Sequence, residues 1–465
     1  MRYRPLPMGE AAGPGWRREV RAQFRLALPV VVIQLGLVAM GAVDGAFLGR
    51  VDAVQYAAAA IGHSYTFLFF AFGMGFLTVL DPVVSQAWGA RDLEGVARGL
   101  QRGLLLAFLV SIPIALVLLP AESNLRLARQ KEEVIAVAAP YARVLILSTL
   151  PFLLFVAVRQ AMQAVHLLRP LVLTILAVNV LNAFLDWVLI HGNLGAPAMG
   201  AMGSAWATVV ARWVMVLLLL WLAGPDLWRF LERPASRLLH LAPLGRMTRL
   251  GIPVGIQWFV EVGAFAGLTA MMGSLGKDEL AGNQVAMHLA SASFMVPLGI
   301  SMAASVRVGN EIGRGSTEGA RRAARVAIAT GFVLMLLFGT VFLAFPRPLS
   351  SVFTNIGEVL AVSVVLVPLA GLFQVFDGTQ AVAVGVLRGM ADTRVPMVNH
   401  ILGFWGVAIP LAWFFGFARG HGAVGLWWGL LVGLALVALL QFLRLRVLLG
   451  RELSRVVIDH PEAGA

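Results

Sequence analysis

The sequence has no cysteine and few charged residues. The absence of cysteine from 465 residues excludes disulfides, thiolate nucleophiles and cysteine-ligated metal sites. Charged residues make up 13% of the chain, whereas a soluble domain usually contains about 25%. The sequence also has no P-loop, zinc-binding motif or catalytic triad. These absences argue against a soluble domain, against an enzyme, and against ATP-driven transport by this chain alone.

Long apolar segments dominate the sequence instead. Hydrophobic residues make up 59% of it, and the mean hydropathy is +0.84. Stretches of about 20 apolar residues recur along the chain, each long enough to cross about 30 Å of hydrocarbon as a helix. The sequence therefore predicts an all-α polytopic membrane protein. Its twelve predicted transmembrane helices cover residues 26–49, 57–84, 99–119, 134–158, 170–191, 203–223, 250–274, 280–306, 323–344, 358–387, 396–416 and 423–443.

The basic residues are distributed unequally between the two sides of the predicted membrane. Of 36 lysines and arginines, 27 lie in the terminal segments and in the loops after even-numbered spans, and seven lie in the opposite loops. The positive-inside rule therefore predicts that both termini are cytoplasmic. Topology also accounts for the net charge of +12, so no nucleic-acid partner is expected. Residues 1–24 lack the apolar region and cleavage site of a signal peptide, which predicts a cytoplasmic tail.

The two halves of the chain resemble each other. A shift of 224 residues places Pro29 on Pro253, and it gives seven identities in 29 ungapped positions between 70–98 and 294–322. Each repeat has an even number of spans, so both enter the membrane from the same side. We therefore predict two parallel, pseudo-symmetric six-helix bundles that enclose a central cleft, an architecture typical of alternating-access transport. The predicted divisions are an N-terminal tail, a first bundle, a cytoplasmic linker, a second bundle and a C-terminal tail, at residues 1–24, 25–223, 224–246, 247–445 and 446–465.

Four carboxylates lie well inside the predicted spans, where a charge is costly and is usually functional. Glu261 in span 7 and Asp377 in span 10 both lie near mid-depth, and neither has a basic residue within its own span. Two carboxylates in a poorly solvated cavity cannot both stay ionised cheaply unless a cation lies between them. The pair is therefore expected to exchange a proton, a metal ion or an organic cation, which is the physical basis of antiport. The alternative is a structural role for each acid.

The other two acids, Asp44 and Asp186, belong to the first half. Asn182 lies one helical turn before Asp186 on the same face of span 5, and Thr208 in span 6 adds a hydroxyl group. Oxygen ligands of these kinds suit a hard cation such as Na⁺, or a protonated carboxyl group with hydrogen-bond partners. Arg212 follows one turn after Thr208. As an alternative, it neutralises Asp186 or Asp44, which would make this cluster structural.

Aromatic and histidine side chains give weaker indications. Four aromatic residues near the acids of the second half could offer cation–π faces to an organic cation, although most aromatic residues in such a chain serve packing and interfacial anchoring. These four are Trp258, Phe259, Phe373 and Phe376. His63 and His288, in spans 2 and 8, could titrate or bind substrate, but we interpret them as packing residues.

Several motifs occur in an order and spacing typical of one transporter family. The second half contains FQVFDGTQAVAVGVLRGMADTRVPM (373–397), GIPVGIQWFVEVGAF (251–265) and AGNQVAMHLASASFMVPLGISMAASVRVGNEIG (281–313). The first half contains LALPVVVIQLGLVAMGAVDGAFLGR (26–50) and VVSQAWGARD (83–92). From residue 25 to about 445, the sequence resembles the multidrug and toxic compound extrusion (MATE) family, particularly its NorM-like branch.

This resemblance implies a secondary active multidrug efflux transporter that exports organic, mainly cationic, compounds in exchange for Na⁺ or H⁺. It implies a cation and substrate site in the second half, formed by Glu261 and Asp377 with Gln284 as a polar neighbour. It also implies a cation or proton site in the first half, formed by Asp44, Asn182, Asp186 and Thr208. Na⁺, if it is the coupling ion, would bind at Glu261 and Asp377 or at Asp44, Asn182 and Asp186.

A flippase for lipid-linked oligosaccharides, from the same superfamily, is the alternative function. Such a flippase carries anionic pyrophosphate lipids and should line its cavity with several arginines or lysines, whereas the intramembrane candidates here are mostly acids, with Arg212 as the exception. We therefore predict a drug/cation antiporter that needs no cofactor. Its predicted partners are small organic cations and the lipid bilayer, and it is predicted to act as a monomer.

Overall fold

The computed structural model describes residues 15–128, 130–231 and 240–459. The remaining parts of the predicted tails and of the predicted linker lie outside the described residues. The helices up to residue 231 are α1 (Trp16–Leu48), α2 (Ala53–Leu77), α3 (Leu80–Gly89), α4 (Leu93–Leu118), α5 (Ala121–Leu127), α6 (Glu132–Ile146), α7 (Thr149–Ala164), α8 (Arg169–His191) and α9 (Ala201–Leu231). The later helices are α10 (Leu241–Leu275), α11 (Lys277–Gly313), α12 (Thr317–Ala344), α13 (Pro346–Ser351), α14 (Gly357–Gly389), α15 (Arg394–His400), α16 (Ile409–Trp413) and α17 (Gly422–Leu449).

The number of membrane-spanning segments agrees with the sequence. Within the described residues, eleven helical segments are long and apolar enough to cross a bilayer, and α6 with α7 adds a twelfth that is bent by 50°. The bend lies at Ser148, whose hydroxyl donates to the Leu145 carbonyl at 2.6 Å. Thr78 makes the same kind of bond to Gly75 between α2 and α3. Such local side-chain bonds compete with the helical ladder and favour a bend.

The helices are longer than the predicted spans. Predicted span 1 begins at residue 26, whereas α1 begins at Trp16. Predicted span 6 ends at residue 223, whereas α9 continues to Leu231. The extra turns carry arginines, so hydropathy leaves them out. A helix can extend beyond the hydrocarbon region into water, because its backbone hydrogen bonds do not depend on apolar side chains.

Contacts divide the chain into two compact units. The first unit comprises Val32–Gly251 with the segment that starts at Ile458, and the second comprises Ile252–Val457 with the segment that ends at Val31. The divisions therefore fall within α1 and within α10. All four polar candidates of the first half lie in the first unit, and the acids of the second half lie in the second unit.

The second unit has an apolar core in which helices approach closely. Phe373 packs edge-on against Trp427, with ring centroids 5.8 Å apart, in a cluster that includes Phe404. Span 11 contains π-helical turns at Ile401–Ala408 and Phe414–Ala418. Each π turn widens the helix, and such turns often occur at functional sites.

Candidate functional site

The structure brings the four first-half candidates together. The amide of Asn182, on α8, donates to Asp44 Oδ1 on α1 at 2.5 Å and to Asp186 Oδ2 one turn further along α8 at 2.9 Å. The hydroxyl of Thr208 on α9 donates to Asp44 Oδ2 at 3.2 Å. All four side chains are buried. Two carboxylates therefore lie side by side around one amide group, inside the membrane-spanning part of the first unit.

Two oxygens of this cluster have no hydrogen-bond partner among the described residues. Asn182 Oδ1 and Asp186 Oδ1 are both buried and unbonded. A buried oxygen without a donor costs about 1–3 kcal/mol, which a proton or a cation would offset. Within the described ranges, no group of three or more histidine, aspartate or glutamate side chains could hold a metal ion. The donor set is thus two carboxylates, an amide and a hydroxyl, and it fits a proton or a hard monovalent cation better than a transition metal.

Arg212 does not form an ion pair with these acids. Its Nη1 donates to Ser148 Oγ at 2.8 Å, and its guanidinium lies 4.9 Å from the ring centre of Phe70 and 4.6 Å from that of Phe152. In the described part of the chain, no carboxylate oxygen lies within 4.0 Å of its nitrogens. The alternative in which Arg212 pairs directly with Asp44 or Asp186 has no support in this geometry.

The two acids of the second unit interact electrostatically. Glu261 on α10 and Asp377 on α14 are close enough for a coulombic interaction. Asp377 is 4% exposed and accepts a hydrogen bond from the Gln380 amide at 3.3 Å. The Glu261 side chain is 18% exposed. One acid is therefore held by its own helix, while the other is more accessible.

His400 lies beside Glu261 and is not among the residues predicted from the sequence. Its Nε2 is 3.8 Å from Glu261 Oε2 and 3.2 Å from Gln257 Nε2. Its Nδ1 is 2.9 Å from the Pro396 carbonyl oxygen and 3.4 Å from the Gln441 amide nitrogen. The shorter contact is to an oxygen that can only accept, which favours a proton on Nδ1. In the neutral ring, Nε2 then accepts from the Gln257 amide. His400 is the only titratable residue inside predicted span 11, and that isolation was the signal for finding it.

The other second-half candidates lie in different surroundings. Gln284 is exposed, and within the described residues it has no hydrogen bond to either acid; its neighbour Asn283 is the buried amide and accepts from Trp427 Nε1 at 3.0 Å. Phe373 is buried in the core, whereas Phe376 is 38% exposed. Trp258 and Phe259 are partly buried, so they are more accessible than Phe373. His288 stacks on Phe353 and His63 on Phe67, as packing residues do.

Comparison with known proteins connects this geometry to a family. The MatE family model matches residues 29–188 and 253–414. The two matched segments begin 224 residues apart, which is the shift that relates the two halves of the sequence. The family model therefore matches each half of the chain once, in agreement with the repeat.

Individual relatives match over almost the full chain. A probable multidrug resistance protein NorM of Mesorhizobium japonicum is 37% identical over 447 residues, covering 92% of this chain and 94% of that protein. A multidrug resistance protein NorM of Burkholderia vietnamiensis is 33% identical and covers 95% and 96%. The crystal structure of a eukaryotic MATE transporter, AtDTX14, superposes with a TM-score of 0.84 at 24% identity, over 93% of this chain and 96% of that chain. An outward-facing multidrug resistance MATE transporter superposes with a TM-score of 0.82 at 20% identity, over 93% and 96%.

The fold defines a polytopic membrane protein of the all-α class with twelve transmembrane helices, and this prediction is confirmed. The chain belongs to the MATE family, in its NorM-like branch, as the motifs indicated. It is a transporter rather than an enzyme.

Proposed function

We propose that this protein exports organic, mainly cationic, compounds across the bacterial inner membrane in exchange for Na⁺ or H⁺. Both termini would be cytoplasmic, and the transporter would work as a monomer. The names of its relatives, multidrug resistance proteins, support the export of drugs. The arginine-rich loops support the orientation.

One observation carries the ion coupling. Asp44 and Asp186 share a single amide donor, have no ion-pair partner among the described residues, and leave buried oxygens unbonded. Carboxylates in this state need a positive charge from elsewhere, because a bare charge is costly at this depth. A proton, Na⁺ or a cationic substrate can each supply that charge. Competition between them would couple the inward flow of ions to drug export.

The proposed cycle uses alternating access. The outward-open protein takes up Na⁺ or H⁺ at the carboxylates, and this releases the bound organic cation. After closure and inward opening, the ion leaves and a new substrate binds. The membrane potential adds about 2.3 kcal/mol per 100 mV for each net charge that moves inward.

The acids of the second unit are the second candidate site for this exchange. Glu261 and Asp377 interact electrostatically, and the accessibility of Glu261 suits it to contact with a substrate. A lipid-linked oligosaccharide flippase remains the alternative function. Arg212, a buried arginine near the first-unit acids, supports a flippase less than the acids support cation export.

Transport by purified protein in proteoliposomes tests the proposal. Efflux of a permanently cationic compound, radiolabelled tetraphenylphosphonium, is measured under an imposed Na⁺ gradient and, separately, under an imposed pH gradient. We expect one of the gradients to drive efflux, and we expect Asp44→Asn, Glu261→Gln and Asp377→Asn each to lower it at least tenfold. Glu358→Gln is the matched control, because Glu358 is an exposed acid on the same helix as Asp377. Normal gradient-driven efflux in all three acid variants would refute the coupling mechanism.

A further inference from the structure

Arg212 is a permanent charge placed near the first-unit acids but not bonded to them. Its guanidinium keeps its charge under all ordinary conditions, and its side chain is only 8% exposed. Ser148 and the rings of Phe70 and Phe152 hold it in place. An arginine inside the membrane normally pairs with an acid, so its separation from Asp44 requires an explanation.

Arg212 lies close enough to the cluster for its electric field to act on Asp44. Arg212 follows Thr208 by four residues on the same face of α9, and Thr208 donates to Asp44. The arginine is therefore about one helical turn away from the residue that holds the carboxylate. The aromatic rings and Ser148 keep the guanidinium from moving closer and neutralising Asp44 through direct contact.

When both carboxyl groups are ionised, the charges of this region sum to a single negative charge. Asp44 and Asp186 contribute two negative charges and Arg212 contributes one positive charge. The other titratable groups that face Arg212 are His63 on α2 and Tyr141 on α6. As a neutral imidazole and a neutral phenol, they add no charge to this sum. One monovalent cation therefore neutralises the region, whereas a divalent cation would leave an uncompensated positive charge inside the membrane.

We propose that Arg212 is a specificity-determining residue, which restricts the first-unit site to one positive charge and excludes Mg²⁺ and Ca²⁺. This inference rests on the proposed function, since it concerns the same cation site. Without Arg212, two carboxylates, the unbonded Asn182 Oδ1 and the Thr208 hydroxyl would form an oxygen-rich site of charge −2, a composition that suits divalent cations. With Arg212 in place, repulsion opposes the second charge.

Thermal unfolding of the detergent-solubilised protein with and without Mg²⁺ or Ca²⁺ tests this proposal without relying on transport. A cation that binds only the folded state raises the Tm in a concentration-dependent way. We expect Mg²⁺ and Ca²⁺ to cause no specific rise in the Tm of the natural protein and a saturable rise for Arg212→Met. The variant should bind these cations about tenfold more tightly than the natural protein, or more. Arg212→Gln, which keeps a donor for Ser148, should show the same rise and replaces Arg212→Met if that variant does not fold.

Two controls separate charge from structure. Ser148→Ala removes the hydrogen bond to Arg212 but keeps the charge, so it should stay insensitive to divalent cations, as should Arg212→Lys. The double variant Arg212→Met/Asp44→Asn should lose the rise, because it has one carboxylate fewer. A folded Arg212→Met and Arg212→Gln that both lack a divalent-dependent rise would overturn the proposal.

The proposed function can fail separately from this inference. If Asp44→Asn keeps normal gradient-driven efflux, ion coupling at this site is refuted, whatever the divalent response of Arg212→Met. If Asp44→Asn abolishes efflux while both Arg212 variants ignore Mg²⁺ and Ca²⁺, only the selectivity role is refuted.

Discussion

Breaking the buried ion pair between Glu19 and Arg307 should destabilise the second unit strongly. Arg307 Nε and Nη2 donate to Glu19 Oε1 at 3.0 and 2.9 Å, and Nη2 also donates to Oε2 at 2.8 Å. The side chains are 2% and 3% exposed. The pair joins the first turns of α1 to α11. Both groups are shielded from water, so the loss of one partner leaves the other as a buried, poorly compensated charge.

The magnitude follows from what remains after each substitution. Arg307→Met leaves the Glu19 carboxylate without its donors, and we expect a loss of about 3–5 kcal/mol. Glu19→Met is expected to cost less, about 2–4 kcal/mol, because Glu311 lies 3.7 Å from Arg307 and remains as a weaker partner. The double variant should lose less than the sum of the two, because it leaves a smaller buried charge imbalance.

Unfolding by SDS in mixed micelles, followed by tryptophan fluorescence, measures these free energies. Glu318→Gln is the matched control. Glu318 lies 3.9 Å from Arg321 in an exposed pair, at 61% and 28% side-chain exposure, and such pairs contribute about 1 kcal/mol or less. If Arg307→Met costs no more than Glu318→Gln, or if the effects of the single variants simply add, the ion pair does not stabilise the protein as described.

Two packing predictions can be checked by the same unfolding assay. Gly429→Ala should destabilise the protein by about 1–3 kcal/mol, because a Cβ at Gly429 would clash with a backbone nitrogen of α16. Gly406→Ala should be tolerated, since a Cβ there meets nothing within 4 Å. Equal effects of the two substitutions would contradict this explanation. Trp427→Phe should lower the free energy of unfolding by about 1–3 kcal/mol, because it removes the hydrogen bond to Asn283. Trp221→Phe, at a side chain that is 75% exposed, should change it by no more than about 0.5 kcal/mol. An equal loss in both tryptophan variants would show that the buried bond contributes little.

Much of the fold was predictable from the sequence because the bilayer imposes it. A chain that crosses hydrocarbon must satisfy its backbone hydrogen bonds within helices, so apolar segments of about 20 residues predict the spans. The 224-residue repeat was visible from the shared positions around Pro29 and Pro253, and the family model confirmed it. Helix ends were less predictable. Hydropathy indicates which residues lie in the hydrocarbon region. It does not reveal that α1 begins at Trp16, outside that region.

The polar residues were only partly predictable. An acid in an apolar segment is conspicuous, so Asp44, Asp186, Glu261 and Asp377 could be chosen from the sequence. His400 had the same signal but was missed, and the buried amide near Trp427 is Asn283, while Gln284 is exposed. Neighbouring positions on a helix point about 100° apart. Without the packing of α11 against its neighbours, the sequence did not indicate which of the two amides is buried.

The sequence by itself determined the class of fold, the repeat and the family, because hydropathy, charge asymmetry and motif order are linear properties of the chain. Only the tertiary structure decided which polar groups meet. Asp44 and Asn182 are 138 positions apart, yet their side chains bond at 2.5 Å. Arg212, for which the sequence leaves open a pairing with these acids, is held by Ser148 and two phenylalanine rings. Such contacts depend on how each helix is rotated about its axis when it packs against its neighbours. That rotation depends on residues far apart in the sequence, so no single segment reveals it.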